Sequence, residues 1–485
     1  MKALSGLDAL FLHLETPDTP MHVASLHLFD LPNAYQGAFH ADVKRQVARR
    51  LHLAPLFRRK LRTLPLDLAN PVWVEEASID LDHHVRRVML PRPGTQAQLE
   101  ACAARIHSTL LDRSRPLWEV HIIEGLKSRQ VGMYMRVHHA VLDGAAGMAL
   151  AGALLDRTPM PRNVPGPPRG KRAGGDSPRI GELAGAALRH DVAQYAKLVR
   201  QLPALVRILV GDRRRQSGSA ANAARRSRAF GPRTSLNVSI TSERRFAALS
   251  LSLDEVKSVA QAHDAKLNDV VLAICSGALR EYLSRHGGIP DEPLIAGMPF
   301  SLRESGNTEY STQATMTLVN LATDIADPVQ RLRAIRDAAG AVKSVTRRAK
   351  SVIPIDTPSL GAPWLVGGLA ALYGRSRLAD VLRPIMNVVI SNVPGPTQPL
   401  YLAGARMRTC WPLSIVEHGM GLNITVVSYC GALDFGLVAA RRAVVDAHKL
   451  ARAIEDAHAA LLSLTRQQSK RITGRPGKRV SRTRP

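Results

Sequence analysis

Residues 131–147 read VGMYMRVHHAVLDGAAG, and no other stretch of the chain says as much about fold and chemistry together. The run 131–137 is apolar apart from Arg136 and carries Val and Tyr, as a buried strand does. His138 and His139 close it, Asp143-Gly144 is a strong turn signal, and small residues over 145–155 predict a helix just beyond. Successive strand side chains point to opposite faces, so His138 and His139 cannot both enter one pocket. One of them is a candidate general base: a neutral imidazole, with a reference pKa of ~6.5, can take a proton from a hydroxyl. The other is a buried scaffold residue. Asp143 can orient a histidine or pair with an arginine, and Gly144 lets the backbone approach a ligand closely. The opposed faces argue against a metal held by His138, His139 and Asp143.

Outward from this motif, strand-like runs recur at 23–29, 117–123, 246–253, 293–300, 316–322, 387–391 and 422–429. Helical periodicity fills 42–53, 96–111, 254–263, 269–286 and 328–350. Strands and helices in irregular alternation predict a mixed α/β class. The middle differs. Residues 156–178 are rich in Pro, Gly and Arg; 180–202 has an amphipathic helical pattern; 211–233 holds seven Arg against one Asp. The chain therefore divides into an N-terminal domain over 1–157, a connector over 158–240, a C-terminal domain over 241–462 and a basic, disordered tail over 463–485.

The composition sets limits on function. The chain has 485 residues, of which 45% are hydrophobic and 22% charged, enough apolar material for a sizeable core. That excludes a wholly disordered protein, a collagen and a small disulfide scaffold. The net charge is +26, and residues 466–485 with 211–233 supply more than half of it. Such a chain is drawn to polyanions: nucleic acid, anionic lipid or phosphorylated metabolites. Aromatic residues are only 4% and do not interleave with Arg or Lys, which speaks against base stacking, so no nucleic-acid partner is expected. The four cysteines have no metal-site or disulfide spacing and point to a reducing compartment. Asp8 and Glu15 interrupt the N-terminal apolar stretch where a secretory leader needs an uncharged one. The apolar runs 145–155 and 360–373 fall short of the ~18 residues of a spanning helix, and Pro363 interrupts the second.

His138-His139-Ala140-Val141-Leu142-Asp143-Gly144 resembles the HHxxxDG signature of CoA-dependent acyltransferases. Four more segments narrow the resemblance: SGLDALFLHLETPDTPMHVASLHLF over 5–29, Pro116-Leu117-Trp118, Asn268-Asp269-Val270-Val271-Leu272-Ala273, and Ser391-Asn392-Val393-Pro394-Gly395-Pro396. In this order they are similar to the bacterial wax ester synthase/acyl-CoA:diacylglycerol acyltransferases. The resemblance runs from about residue 5 to about residue 460. It implies two chloramphenicol-acetyltransferase-like domains of α/β class joined by a helical connector, with the active site at their interface. It implies that His139 is the catalytic base, Asp143 a mainly structural partner, and Asn268 a residue supporting activity. Pro116, Trp118 and Asn392 then fall near the acyl and alcohol channel, with His138 and Gly144 alongside the base. Two departures bear on substrate preference and leave the base untouched: Phe300 stands where a small aliphatic is common, and Ala439-Ala440 follow Asp434-Phe435-Gly436 where the family often has an acid.

The reaction implied is transfer of a long-chain acyl group from acyl-CoA to the hydroxyl of a diacylglycerol or a long-chain alcohol. It needs no cofactor, since acyl-CoA is a co-substrate, and no metal. The absence of a Gly-x-Ser-x-Gly elbow or an evident Cys/His pair agrees with direct transfer. The expected location is cytoplasmic, peripheral to the inner membrane face or lipid inclusions, at an anionic lipid surface reached through the tail, the Arg-rich segment or the helix over 180–202. The rival readings are a non-catalytic lipid-binding protein on the same fold and, on charge alone, a nucleic-acid binder.

Overall fold

A computed structural model of the chain describes residues 2–4, 6–63, 70–141, 152–166, 181, 185, 230–301, 314–349 and 362–473. Its frame is two sheets. In the first, β2 (His22–Asp30), β7 (Val131–His138) and β6 (Trp118–Glu124) run antiparallel, and β5 (Val85–Met89) lies parallel to β6. The other flank of β2 is occupied by strands from much later in the chain. β13 (Ala405–Met407) and β14 (Trp411–Leu413) both pair antiparallel with β2, and β12 (Tyr401–Leu402) pairs with β13. The second sheet has the order β10 (Ala314–Asn320), β9 (Ile295–Ser301), β11 (Val388–Val393), β15 (Leu422–Tyr429), β16 (Ala432–Ala440), β8 (Arg244–Ser252). A small third sheet joins β1 (Lys2–Ala3), β4 (Val72–Glu75) and β3 (Arg59–Arg62).

The middle of the second sheet lies in the protein interior, and its sequence shows it. β16 is buried from Leu433 to Ala440, as a strand covered on both faces should be. The helices Leu267–Ser284 and Ala447–Thr473 pack against one another and close this core. All eight strand-like runs correspond to observed elements, as do the helical patterns over 42–53, 96–111, 254–263, 269–286 and 328–350; the helix expected over 145–155 lies outside the described residues up to 151.

Two features of the fold cross the expected boundaries. The sheet of the N-terminal half extends past residue 157 in sequence, because β12, β13 and β14 complete it from the C-terminal half. Side chains lock the exchange: the Thr409 hydroxyl accepts the Leu28 N–H at 3.0 Å, and the Thr409 carbonyl lies 3.0 Å from His27 Nδ1. Beside them, buried Asp434 on β16 accepts Ser250 Oγ–H and the Cys410 N–H, both at 2.6 Å. Burial raises the pKa of its carboxyl, and these two bonds hold it down in part. The second concerns the tail. The last helix continues to Thr473, past the expected boundary at 463, and buried Thr465 ties that extension down, its Oγ1 3.0 Å from His263 Nε2. The helix expected over 180–202 (Gly181 and Gly185 apart), the Arg-rich segment up to residue 229 and the chain after 473 lie outside the described residues. Among the described residues no helix is long and apolar enough to cross a membrane.

Candidate active site

The end of β7 separates the two histidines. The His138 N–H donates to the Leu117 carbonyl at 3.0 Å, and the His139 N–H donates to the Met21 carbonyl at 2.8 Å. The backbone therefore stays held by its neighbours through both residues, and the rings leave on opposite sides. His138 turns into the protein and is fully buried. Its Nδ1 accepts the Ala140 N–H at 3.1 Å, which assigns the ring proton to Nε2, and Nε2 lies 3.3 Å from Glu15 Oε1. Glu15 Oε1 also accepts the Met21 N–H at 3.0 Å, while Oε2 receives Arg113 Nε at 3.1 Å and a terminal guanidinium nitrogen at 2.8 Å. Burial alone would raise this carboxyl. His138, Arg113 and the Met21 N–H outweigh it and hold the pKa at about 2.

His139 is half-buried, and its ring stacks on Phe11, with ring centroids 3.8 Å apart and planes 19° from parallel. Phe11 belongs to the helix Gly6–Leu14. Nδ1 of His139 has no hydrogen-bond partner among the described residues. Loss of water around the ring lowers its pKa to about 4; its own backbone carbonyl works the other way and His138 adds to the lowering. At neutral pH the ring is thus an unprotonated acceptor. Asp143 and Gly144 lie outside the described residues.

The remaining sequence candidates fall in three places. Pro116 and Trp118 are buried where the chain enters β6. The Trp118 indole N–H donates to the Phe57 carbonyl at 3.0 Å and its ring stacks on His84 at 4.3 Å, so it braces the strand beside β7 from within the core. Asn268 is in the first turn of the helix Leu267–Ser284, partly exposed, with Nδ2 3.7 Å from Met298 Sδ. Its neighbour Asp269 is buried and accepts the Lys266 N–H at 2.9 Å, which caps the helix start. Asn392 is partly exposed on β11, opposite Val426 of β15. No hydrogen bond joins His139 to Asn268 or Asn392 among the described residues. The motif reading missed Glu15, Arg113 and Phe11. An acid closing the apolar stretch 7–15, which also holds Asp8, was the available signal for Glu15. Among the described residues no group of three His, Cys, Asp or Glu side chains could hold a metal.

Comparison with known proteins agrees with these motifs. Residues 4–271 match the wax ester synthase/diacylglycerol acyltransferase catalytic domain, and residues 311–461 match the C-terminal domain of the same proteins. A putative diacylglycerol O-acyltransferase of Mycobacterium tuberculosis is 39% identical over 442 residues, covering 91% of this chain and 95% of the relative. The O-acyltransferase WSD of Acinetobacter baylyi is 36% identical over 464 residues, 94% of this chain and 96% of its own. The solved structure of the wax ester synthase/diacylglycerol acyltransferase from Marinobacter aquaeolei VT8 superposes with a TM-score of 0.67 at 32% identity, covering 96% of this chain and all of that one.

Proposed function

The chain belongs to the wax ester synthase/diacylglycerol acyltransferase family, and from that premise we propose that it moves a long-chain acyl group from acyl-CoA to the hydroxyl of a diacylglycerol, and also of long-chain alcohols, with His139 as general base. The observation that carries this reading is the unequal state of the two histidines. Glu15 engages the buried ring of His138, while His139 is half-buried, its ring neutral and without a carboxylate partner among the described residues.

In this mechanism His139 takes the proton of the acceptor hydroxyl as its oxygen attacks the thioester carbonyl. The tetrahedral intermediate carries an oxyanion, which needs donors already in place. Asn268 supports that role because its amide lies in the first turn of an 18-residue helix, where backbone N–H groups and the helix dipole favour negative charge. Collapse of the intermediate breaks the C–S bond, and the His139 imidazolium returns its proton to the departing CoA thiolate. The ester and free CoA balance the step without a covalent enzyme intermediate. In this reading Asp143 is a mainly structural partner of the motif, and Pro116, Trp118 and Asn392 belong to the walls and supports of the channel. The protein works at an anionic lipid surface.

The test is CoA release from palmitoyl-CoA with diacylglycerol, with hexadecanol and with no acceptor. Acceptor-dependent release that disappears in His139→Ala supports the reading. Release that ignores the acceptor, or that survives in a folded His139→Ala protein, rejects it.

A further inference from the structure

A helix lying on a wet surface normally turns its large apolar side chains inward. The helix Ala362–Arg375 does the reverse. Trp364, Leu365, Leu369 and Leu372 are 61%, 66%, 58% and 61% exposed and recur with the period of one helical face. The side turned toward the protein carries Gly367, Ala370, Ala371 and Gly374, which allow close approach. A Cβ on Gly374 would lie only 2.8 Å from His418 Nε2. The apolar exterior continues past the helix through Leu378, Val381, Leu382 and Ile385. The acid in that stretch, Asp380, accepts the Ser239 N–H at 2.6 Å. Exposed Arg375 and Arg377 stand in and beside it, and exposed Arg383 pairs with Glu292. A contiguous apolar surface set among cations matches the chemistry of a phospholipid leaflet: hydrocarbon flanked by phosphate.

Its position in the fold points the same way. The helix packs on Gly6–Leu14, the helix that presents Phe11 to His139. At the other end, Ile385 leads to Met386, whose sulfur and that of Met316 crowd Gly297; the next residue, Met298, touches Asn268. The exposed face therefore spans the ground between the two candidate catalytic elements.

We propose that this face, from Trp364 to Ile385, seats the protein on a phospholipid leaflet, so that an acceptor dissolved in the leaflet enters beside the helix Gly6–Leu14 without crossing water. For its purpose this rests on the acyl-transfer reading above. It differs from the tail, the Arg-rich segment and the helix over 180–202 in being an apolar anchor, so its binding does not depend on anionic lipid alone.

The test is flotation of the full-length protein with vesicles of phosphatidylcholine, with and without phosphatidylglycerol, against the Leu365→Ser/Leu369→Ser double variant. Both residues are more than half exposed, so the melting temperature should hold. Wild type is expected to float with both vesicles, more with phosphatidylglycerol, and raised salt should remove only that increment. The double variant should lose about tenfold or more in partitioning to both. Turnover of palmitoyl-CoA and hexadecanol dispersed in detergent, where no leaflet is present, keeps the two ideas apart: if neither protein turns the pair over, the acyl-transfer reading fails while the loss of flotation still stands. Equal flotation of wild type and variant overturns the proposal. So does a wild-type dimer that ignores vesicles and becomes monomeric in the variant, which would assign the face to a second copy of the chain.

Discussion

Glu15 Oε1 stands 3.3 Å from Nε2 of His138 with both side chains out of solvent, while His139, the next residue, stacks on Phe11. One carboxylate thus distinguishes two adjacent imidazoles. It also makes a stability prediction with a definite sign. The Glu15 carboxyl sits at about 2 in the folded protein against 4.5 when free, so its ionised form favours folding. That contribution is complete above pH 4.5 and is lost as pH falls toward 2. A shift of this size corresponds to about 3 kcal/mol. Glu15→Gln should therefore cost stability at neutral pH, with a deficit that closes as the solution is acidified. Urea melts of both proteins across that range measure it, and a deficit independent of pH would sink the assignment.

His139→Ala should lower kcat/KM by ~10²–10⁴-fold with the fold intact, whereas His138→Ala should act mainly through stability. The wild-type pH profile adds an independent reading. Because burial lowers the His139 pKa to about 4, the free enzyme holds its base unprotonated down to that pH. The acid limb of kcat/KM should fall there and not near 6.5. A limb at the higher value would mean that the ring titrates in open water, contrary to its packing on Phe11.

The parts of the fold that could be read from sequence are those where burial writes a continuous or periodic pattern. β7 and β15 are examples, and so is the helix Leu267–Ser284. β12, β13 and β14 span two or three residues each, too few for any period, and their pairing with β2 is a property of topology alone. β16 hid behind its Ala and Gly content, which carries little strand preference. In the helix Ala362–Arg375 small and large residues are both apolar, so the sequence showed a hydrophobic run and not which side faced out. The HHxxxDG motif named both histidines, and strand alternation separated them. The identity of the inward ring's partner was not legible, because Glu15 approaches from a helix end more than a hundred residues away in sequence.

Asn268 and Asp269 are adjacent and should fail differently. Asn268→Ala should lower kcat more than it raises KM for acyl-CoA, since a donor to the developing oxyanion is lost. Asp269→Ala should leave kcat of the folded protein largely intact and cost about 1 kcal/mol, because its carboxylate accepts the Lys266 N–H at the helix start. Initial rates over a range of palmitoyl-CoA, together with denaturant melts, separate the two. A pure KM effect for Asn268→Ala would assign that residue to binding.

The exchanged strands make a last prediction at a site far from the histidines. Asp156 bridges to Tyr401 through two backbone hydrogen bonds of 2.8 Å, which tie the end of the N-terminal half to β12. Its carboxylate receives one guanidinium nitrogen of Arg50 at 2.9 Å on each oxygen, and another Arg50 nitrogen donates to the Leu154 carbonyl at 2.8 Å. Both side chains are 3% exposed, so the pair is desolvated and neither charge has water to fall back on. Asp156→Ala leaves the Arg50 cation buried without its anion and should cost about 3–5 kcal/mol. Removing both charges, in Arg50→Met/Asp156→Leu, takes away the unpaired cation as well and should recover most of that loss. The decisive measurement is the double-mutant cycle by urea unfolding. Near-additive losses would show that water reaches the pair and that the pair adds little to the seam between β12 and the N-terminal half.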